Sequence, residues 1–171
     1  GEYSIEVDPR KVDRETVKML SELGFNRMSV GVQDFSPEVQ VAVNRVQSLD
    51  ETKLVIDSAR EFGFKGISVD LIYGLPKQNV ISFNHTLDEV LKLDPDRLSI
   101  YNYAHLPSLA KPQRRINEAD LPSPDARLQI LQLAIRRLTE AGYVFIGMDH
   151  FAKPDDELAV AQRQKPRSAH S

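Results

Sequence analysis

Residues 65–76 read KGISVDLIYGLP, and this stretch decides the fold. Ile67, Val69 and Leu71 and the run through Tyr73 predict a buried parallel strand, with apolar residues on almost every side of Asp70. The run breaks at Gly74-Leu75-Pro76, a loop marked by the two strongest structure breakers. A carboxylate inside such a strand does nothing for packing, and leaving it unpaired is costly, so it must meet a donor or a ligand. Two readings stand side by side: Asp70 latches a neighbouring loop, or it faces a ligand at the end of a sheet strand, where such folds hold their ligands.

Working outward, residues 3–7 (YSIEV) alternate as a strand and Asp8-Pro9 ends it. Asp13 can cap a helix with Val17, Leu20 and Leu23 on its buried stripe, closed by Gly24. Residues 25–32 (FNRMSVGV) form the next strand, followed by a short helix from Ser36-Pro37 that Asn44-Arg45 interrupts. Ser48 and Glu51 predict a capping box for a helix with Leu54, Val55, Ala59 and Phe62 inward and Ser58 as a gap in the stripe. After the Gly74 loop, Phe83, Leu87, Val90 and Leu91 mark a helix stopped near Asp94-Pro95, and residues 97–103 (RLSIYNY) a strand. Residues 108–121 have no clean period and read as a long loop or a short helical excursion. Ser123-Pro124 opens the longest helix, with Leu128, Leu131, Ile135 and Leu138 on one face. Residues 143–146 form a fifth strand running into Gly147-Met148-Asp149-His150-Phe151, and a last short helix reaches Ala161.

A repeat ties these pieces together. Helix end, glycine, aromatic and strand recur at Leu23-Gly24-Phe25, Phe62-Gly63-Phe64 and Ala141-Gly142-Tyr143, at intervals of 39 residues and of 79, close to twice 39. The missing member falls near the strand after Asp94-Pro95. A period of that size fits a strand–helix unit with right-handed crossovers. Five strands are too few to close a barrel of eight, so the expected fold is α/β, a partial (β/α) barrel arc with parallel strands. Residues 1–162 form one central unit and residues 163–171 an irregular tail.

The composition narrows the chemistry. The chain has 171 residues, 41% hydrophobic and 27% charged, with 22 basic against 25 acidic side chains and a net charge of -3. This gives no footprint for a nucleic acid or an anionic membrane. There is no run of membrane-spanning length and no secretory start, so the default location is cytoplasmic. The absence of cysteine excludes disulfides, a thiol nucleophile and thiolate-held metals or clusters within these residues.

Polar residues gather where strands end: Glu6, Gln33 with Asp34, Asp70, Asn102 with His105, and Asp149-His150. In a parallel sheet these ends share one face, which makes it a ligand face. Glu6 and Asp70 are each a carboxylate within an apolar strand, suited to ribose hydroxyls or an ammonium group. Gln33 bonds in both senses, and Arg45 offers a fork to a carboxylate or is an ordinary surface arginine. His105 and His150 with Asp149 could form a metal triad, but their spacing gives only a weak signal. Tyr101 and Tyr103 are explained by packing as well as by a stacked ring.

The stretches YSIEVDPR (3–10), GFNRMSVGVQDF (24–35), Val43-Asn44-Arg45, VDLIYGLPKQ (69–78), YAHLP (103–107), DLPSP (120–124), GMDHFAKP (147–154) and DDELAVAQ (155–162) resemble the oxygen-independent coproporphyrinogen III oxidase family. The EVDP, GVQ and DLIYGLP stretches are shared with the related haem-chaperone-like proteins, and YAHLP and GMDHFA are the more specific marks, since the relatives tend to differ there. The resemblance implies an incomplete (β/α) barrel of the radical S-adenosylmethionine class with a [4Fe–4S] cluster on three cysteines and two S-adenosylmethionine molecules. It implies that Glu6 contacts the first, that Gln33, Arg45 and Asp70 line the second, that Ala104 adds a backbone contact and that Ile72 packs near an adenine. The resemblance assigns no role to Asp149-His150; their place at a strand end suggests a mouth where substrate propionates enter.

The implied reaction is decarboxylation of coproporphyrinogen III propionates to vinyl groups, giving protoporphyrinogen IX, with an electron donor as partner. The cysteine triad is expected ahead of residue 1 and a helical domain after Gln162. The chain therefore reads as the middle of the barrel, inactive alone and prone to self-association through its open edges. The other reading is an S-adenosylmethionine-binding or haem-chaperone-like module without oxidase activity.

Overall fold

In the computed structural model, residues 2–164 are described. The element order is β1 (Ser4–Val7), α1 (Arg14–Glu22), β2 (Arg27–Gln33), α2 (Pro37–Ala42), α3 (Leu49–Glu61), β3 (Gly66–Tyr73), α4 (Val80–Leu93), β4 (Arg97–Asn102), α5 (Pro124–Glu140), β5 (Val144–Gly147), β6 (His150–Ala152) and α6 (Glu157–Gln164). Residues 108–121 carry two 3-10 turns, Lys111–Arg115 and Glu118–Asp120. The capping logic acts as the sequence predicts: Asp13 accepts from the Thr16 N–H at 2.8 Å, and Ser48 and Glu51 close a reciprocal box.

One six-stranded sheet runs in the order β1-β2-β3-β4-β6-β5. Its first four strands pair in parallel. The expectation of five strands, all parallel, is corrected at the end of the chain. β6 is a sixth strand, antiparallel to both β4 and β5. Met148 and Asp149, at φ 48° and 68°, make the two-residue turn between β5 and β6, the positive-φ geometry that matches strand twist. Gly-Met-Asp-His lacks the usual Asn-Gly signature, so the hairpin was not readable. The expected tail boundary also shifts: α6 runs on to Gln164, and residues 165–171 lie outside the described residues.

Helix α6 borders the concave side of the sheet through Leu158 and Ala161, while helices α1, α3, α4 and α5 pack on the other side. Val30, Val69, Leu71, Leu98 and Ile100 face them and are at most 1% exposed, against Ile56, Phe83, Leu87, Ile130 and Leu138. The opposite side does not match a strand buried on both faces. In β2 and β3, burial alternates, and Ser29, Ser68 and Asp70 line an open concave surface. Four expected core residues are exposed: Leu23, Leu54, Leu128 and Ile135. In α5 the buried stripe is Ile130, Leu133, Ala134 and Leu138, rotated from the predicted one. In α3 it is Thr52, Val55, Ile56, Ser58 and Ala59; Ser58 fits inside because its hydroxyl donates to the Leu54 carbonyl at 2.7 Å.

Candidate functional site

The strand register sets the site out in rows across the concave face. Glu6, Ser29, Ser68 and Arg97 are opposite one another on β1 to β4. One step nearer the strand ends, Gly31, Asp70, Ser99 and His150 form the next row, with Ile72 and Tyr101 opposite each other above it. Apolar–serine–branched triplets recur at Met28-Ser29-Val30, Ile67-Ser68-Val69 and Leu98-Ser99-Ile100. The small hydroxyls keep the concave side open while the flanking residues bury against helices. That recurrence was available in the sequence and marks the lining serines that sequence reasoning missed.

These rows enclose a cavity of about 640 Å³ whose wall includes Glu6, Asp70, Ser99, Tyr101, Met148 and His150. Its volume lies within the range of small-molecule sites. Asp70 accepts a hydrogen bond from the Ser29 hydroxyl at 3.2 Å. Burial raises its carboxyl above the ordinary range; Ser29 opposes that rise, Glu6 adds to it, and Ser99 and His150 oppose it. Glu6 is exposed on the edge strand β1, not enclosed among apolar residues as its sequence pattern predicts.

Of the six residues singled out as cofactor ligands, Glu6 and Asp70 share this cavity, while Gln33, Arg45, Ile72 and Ala104 lie outside its wall. Gln33 and Arg45 share a closed crevice beside it with Leu75. A register shift between Gly31 and Gln33, with Gln33 at φ 66°, bends β2 at its end. Arg45 donates to the Gly31 carbonyl at 2.8 Å, and a Cβ on Gly31 would meet its guanidinium at 3.0 Å. Gly31 pairs with Asp70, so Gln33, Arg45 and Asp70 converge on one junction between β2 and β3. Ala104 follows Tyr103, whose N–H donates to Tyr73, and its carbonyl accepts from Gln113 at 3.0 Å.

Asp34, grouped by sequence with the ligand face, is a latch. It is 1% exposed and accepts from the Ser36 N–H, Gln78 Nε2 and the Thr86 hydroxyl at 2.7, 2.7 and 2.6 Å. Gln78 also accepts from the Gly74 N–H and donates to the Ile72 carbonyl, so the GLPKQ loop is tied to the end of β2. His105 shares a hydrogen bond with Tyr103 and approaches Glu118, and His85 is exposed. Among the described residues, no cluster of histidines, aspartates and glutamates could hold a metal ion.

A parallel four-strand arc backed by helices, with carboxylates on its concave side, is the architecture of a partial (β/α) barrel. The sequence pattern of the Radical SAM superfamily matches residues 1–90, and the chain belongs to that superfamily. It is 59% identical over 162 residues to the oxygen-independent coproporphyrinogen III oxidase of Pseudomonas aeruginosa, covering 95% of this chain and 35% of that protein. The solved coproporphyrinogen III oxidase (HemN) of Escherichia coli, a radical SAM enzyme, superposes with a TM-score of 0.94 at 57% identity, covering 96% of this chain and 38% of that one. The archaeal Elp3 of Methanocaldococcus infernus shares the fold alone: TM-score 0.67 at 17% identity, covering 78% of this chain and 32% of that one. The chain spans about a third of the length of the curated relatives it matches.

Proposed function

We propose that this chain is the central barrel segment of an oxygen-independent coproporphyrinogen III oxidase and that its concave cavity receives S-adenosylmethionine. The observation that carries the reading is the junction at Gly31, where Arg45, Gln33 and Asp70 meet beside a cavity that also holds Glu6. The charges fit the cofactor. Glu6 would accept from ribose hydroxyls or the ammonium group of one molecule, and Asp70 from those of a second. Arg45, although burial lowers its pKa, remains a cation and would fork onto a methionine carboxylate. Ile72 would pack near an adenine, and Ala104 would offer its N–H, since its carbonyl is taken by Gln113.

The iron–sulfur cluster does not fit this chain, which has no cysteine and, among the described residues, no metal-holding cluster. In the superfamily's chemistry the bound cofactor supplies a hydrogen-abstracting radical when it is reduced at a cluster. The residues of this segment bind, orient and desolvate; they do not carry the radical step. The whole reaction is loss of carbon dioxide from propionates of coproporphyrinogen III, leaving vinyl groups, with an external electron donor and a cytoplasmic setting. Among the described residues no helix is long and apolar enough to cross a membrane. The open sheet edges at β1 and β5 favour self-association of the isolated segment.

The test is anaerobic conversion of coproporphyrinogen III by a chain completed to its relatives' full length, with cluster and reductant supplied. Protoporphyrinogen IX is expected, and the 171-residue segment under the same conditions yields none. The reading fails if the completed chain cleaves S-adenosylmethionine without decarboxylating the porphyrinogen. It also fails if Asp70→Asn and Arg45→Ala bind the cofactor as tightly as the parent sequence.

A further inference from the structure

The cavity has two chemically different walls, and only one of them suits the cofactor. Glu6 and Asp70 stand on the side formed by β1 and β3. Across from them, His150 at the start of β6 enters the same row as Asp70, separated from it by Ser99. Arg97, the other basic residue of the wall, pairs with Asp156 at 3.0 Å and Glu2 at 3.2 Å, and its remaining Nη2 is buried out of reach of the cavity. His150 is thus the cavity-lining group able to carry a positive charge that makes no ion pair within hydrogen-bond range among the described residues, its nearest charged neighbour in the row being the Asp70 carboxylate beyond Ser99.

Its ring is fixed at two points. Nδ1 shares a 2.6 Å hydrogen bond with the Ser99 hydroxyl, and the ring meets Tyr101 edge-on, with centroids 6.1 Å apart and planes at 89°. Nε2 has no hydrogen-bond partner among the described residues. Aspartate, serine and histidine here do not form a hydrolytic triad. In such a triad the imidazole lies between carboxylate and hydroxyl, whereas in this row the hydroxyl lies between the other two. Around His150 the wall is apolar: Ile146, Met148, Leu158 and the ring of Tyr101, with Met148 87% exposed. A hydrogen-bonding cation-former within an apolar rim is complementary to a pyrrole bearing a carboxylate-tipped arm. The Glu6–Asp70 wall would repel the same arm.

We propose that His150 binds a carboxylate of the substrate through Nε2, with Ser99 and Tyr101 holding the ring for it; this rests on the oxidase reading above. It is a specificity-determining contact for an acidic tetrapyrrole, placed on the hairpin that the parallel sheet acquires at its end.

The experiment uses a chain completed to its relatives' full length and two fluorescent probes, coproporphyrin III and its tetramethyl ester. His150→Gln and His150→Ala are titrated with each probe, and S-adenosylmethionine affinity is measured in parallel by calorimetry. Both variants are expected to lose about tenfold in affinity for the free acid, the effect of one charge-assisted hydrogen bond, with ester and cofactor affinities unchanged. The proposal is overturned if free-acid affinity is unaltered in both variants. It is equally overturned if cofactor affinity falls along with it, as a residue that merely positions Asp70 would require. A parent sequence that binds neither probe overturns the oxidase reading itself, a separate outcome.

Discussion

Asp34 and Asp70 are both aspartates near the ends of central strands, and their surroundings give them opposite roles. Asp34 is enclosed, with three donors within 2.7 Å, whereas Asp70 accepts from the Ser29 hydroxyl at a longer 3.2 Å and has an open cavity beside it. Asp34→Ala leaves the Ser36 N–H, Gln78 amide and Thr86 hydroxyl without their partner in a buried site. It is expected to cost about 2–4 kcal/mol, read from the shift in urea midpoint. Asp8 offers a pH test. Its carboxyl is lowered from 3.8 to about 2, first by the side-chain hydrogen bond from Arg10. The folded value lies below the unfolded one, so this stabilisation is complete above about pH 4 and drains away as pH falls toward 2. An Asp8→Asn variant should therefore be less stable than the parent by at most about 1 kcal/mol near neutral pH, since the pair lies near the surface. The two stability curves should converge by about pH 2. Both aspartates were visible as strand-end carboxylates. Which one was sealed depended on Gln78 and Thr86, residues 44 and 52 positions away from Asp34, and no local pattern reports them.

At the scale of elements, the hairpin of β5 and β6 is the piece that a repeat of strand–helix units does not predict. Its turn places Met148 and Asp149 at positive φ, a conformation that aspartate tolerates and methionine does not favour. Replacing the pair by Asn-Gly is expected to stabilise the fold by about 0.5–1 kcal/mol, raising the thermal midpoint without altering secondary-structure content. The helices teach a related lesson. Their boundaries were legible because caps act locally: Asp13, Ser48 and Ser123 each accept from an N–H three residues on. Their buried faces were harder to read. In α5 leucines and isoleucines occur on more than one side, so several stripes compete. Packing against α4 selects the one through Ile130 and Leu138, with Arg137 reaching Asn84 and Asp88.

For the molecule as a whole, one ionic cluster joins the sheet to its last helix. Asp156, whose side chain is 3% exposed, accepts from Arg97 at 3.0 Å, stands 3.7 Å from Arg27 and accepts from the Leu158 N–H in the first turn of α6. Arg27 lies over Gly66 so closely that a Cβ there would collide with its guanidinium. Asp156→Ala leaves Arg97 and Arg27 with Glu2 as their remaining carboxylate partner, 3.2 Å from each, and the loss is expected to be about 1–3 kcal/mol, measured by urea unfolding. Sequence alone determined the alternation of strands and helices, most of their limits, the carboxylate-bearing strand ends and the kinship to radical SAM oxidases. Those properties rest on local chemistry: caps, breakers, hydrophobic period and motif. Tertiary structure alone decided that β6 runs antiparallel, that Asp34 is sealed while Asp70 is open, and that His150 reaches the Asp70 row through Ser99. Strand pairing decides the first and the last, and the packing of α4 and its leading loop on the end of β2 decides the second; each brings residues tens of positions apart into contact and is encoded in no single segment.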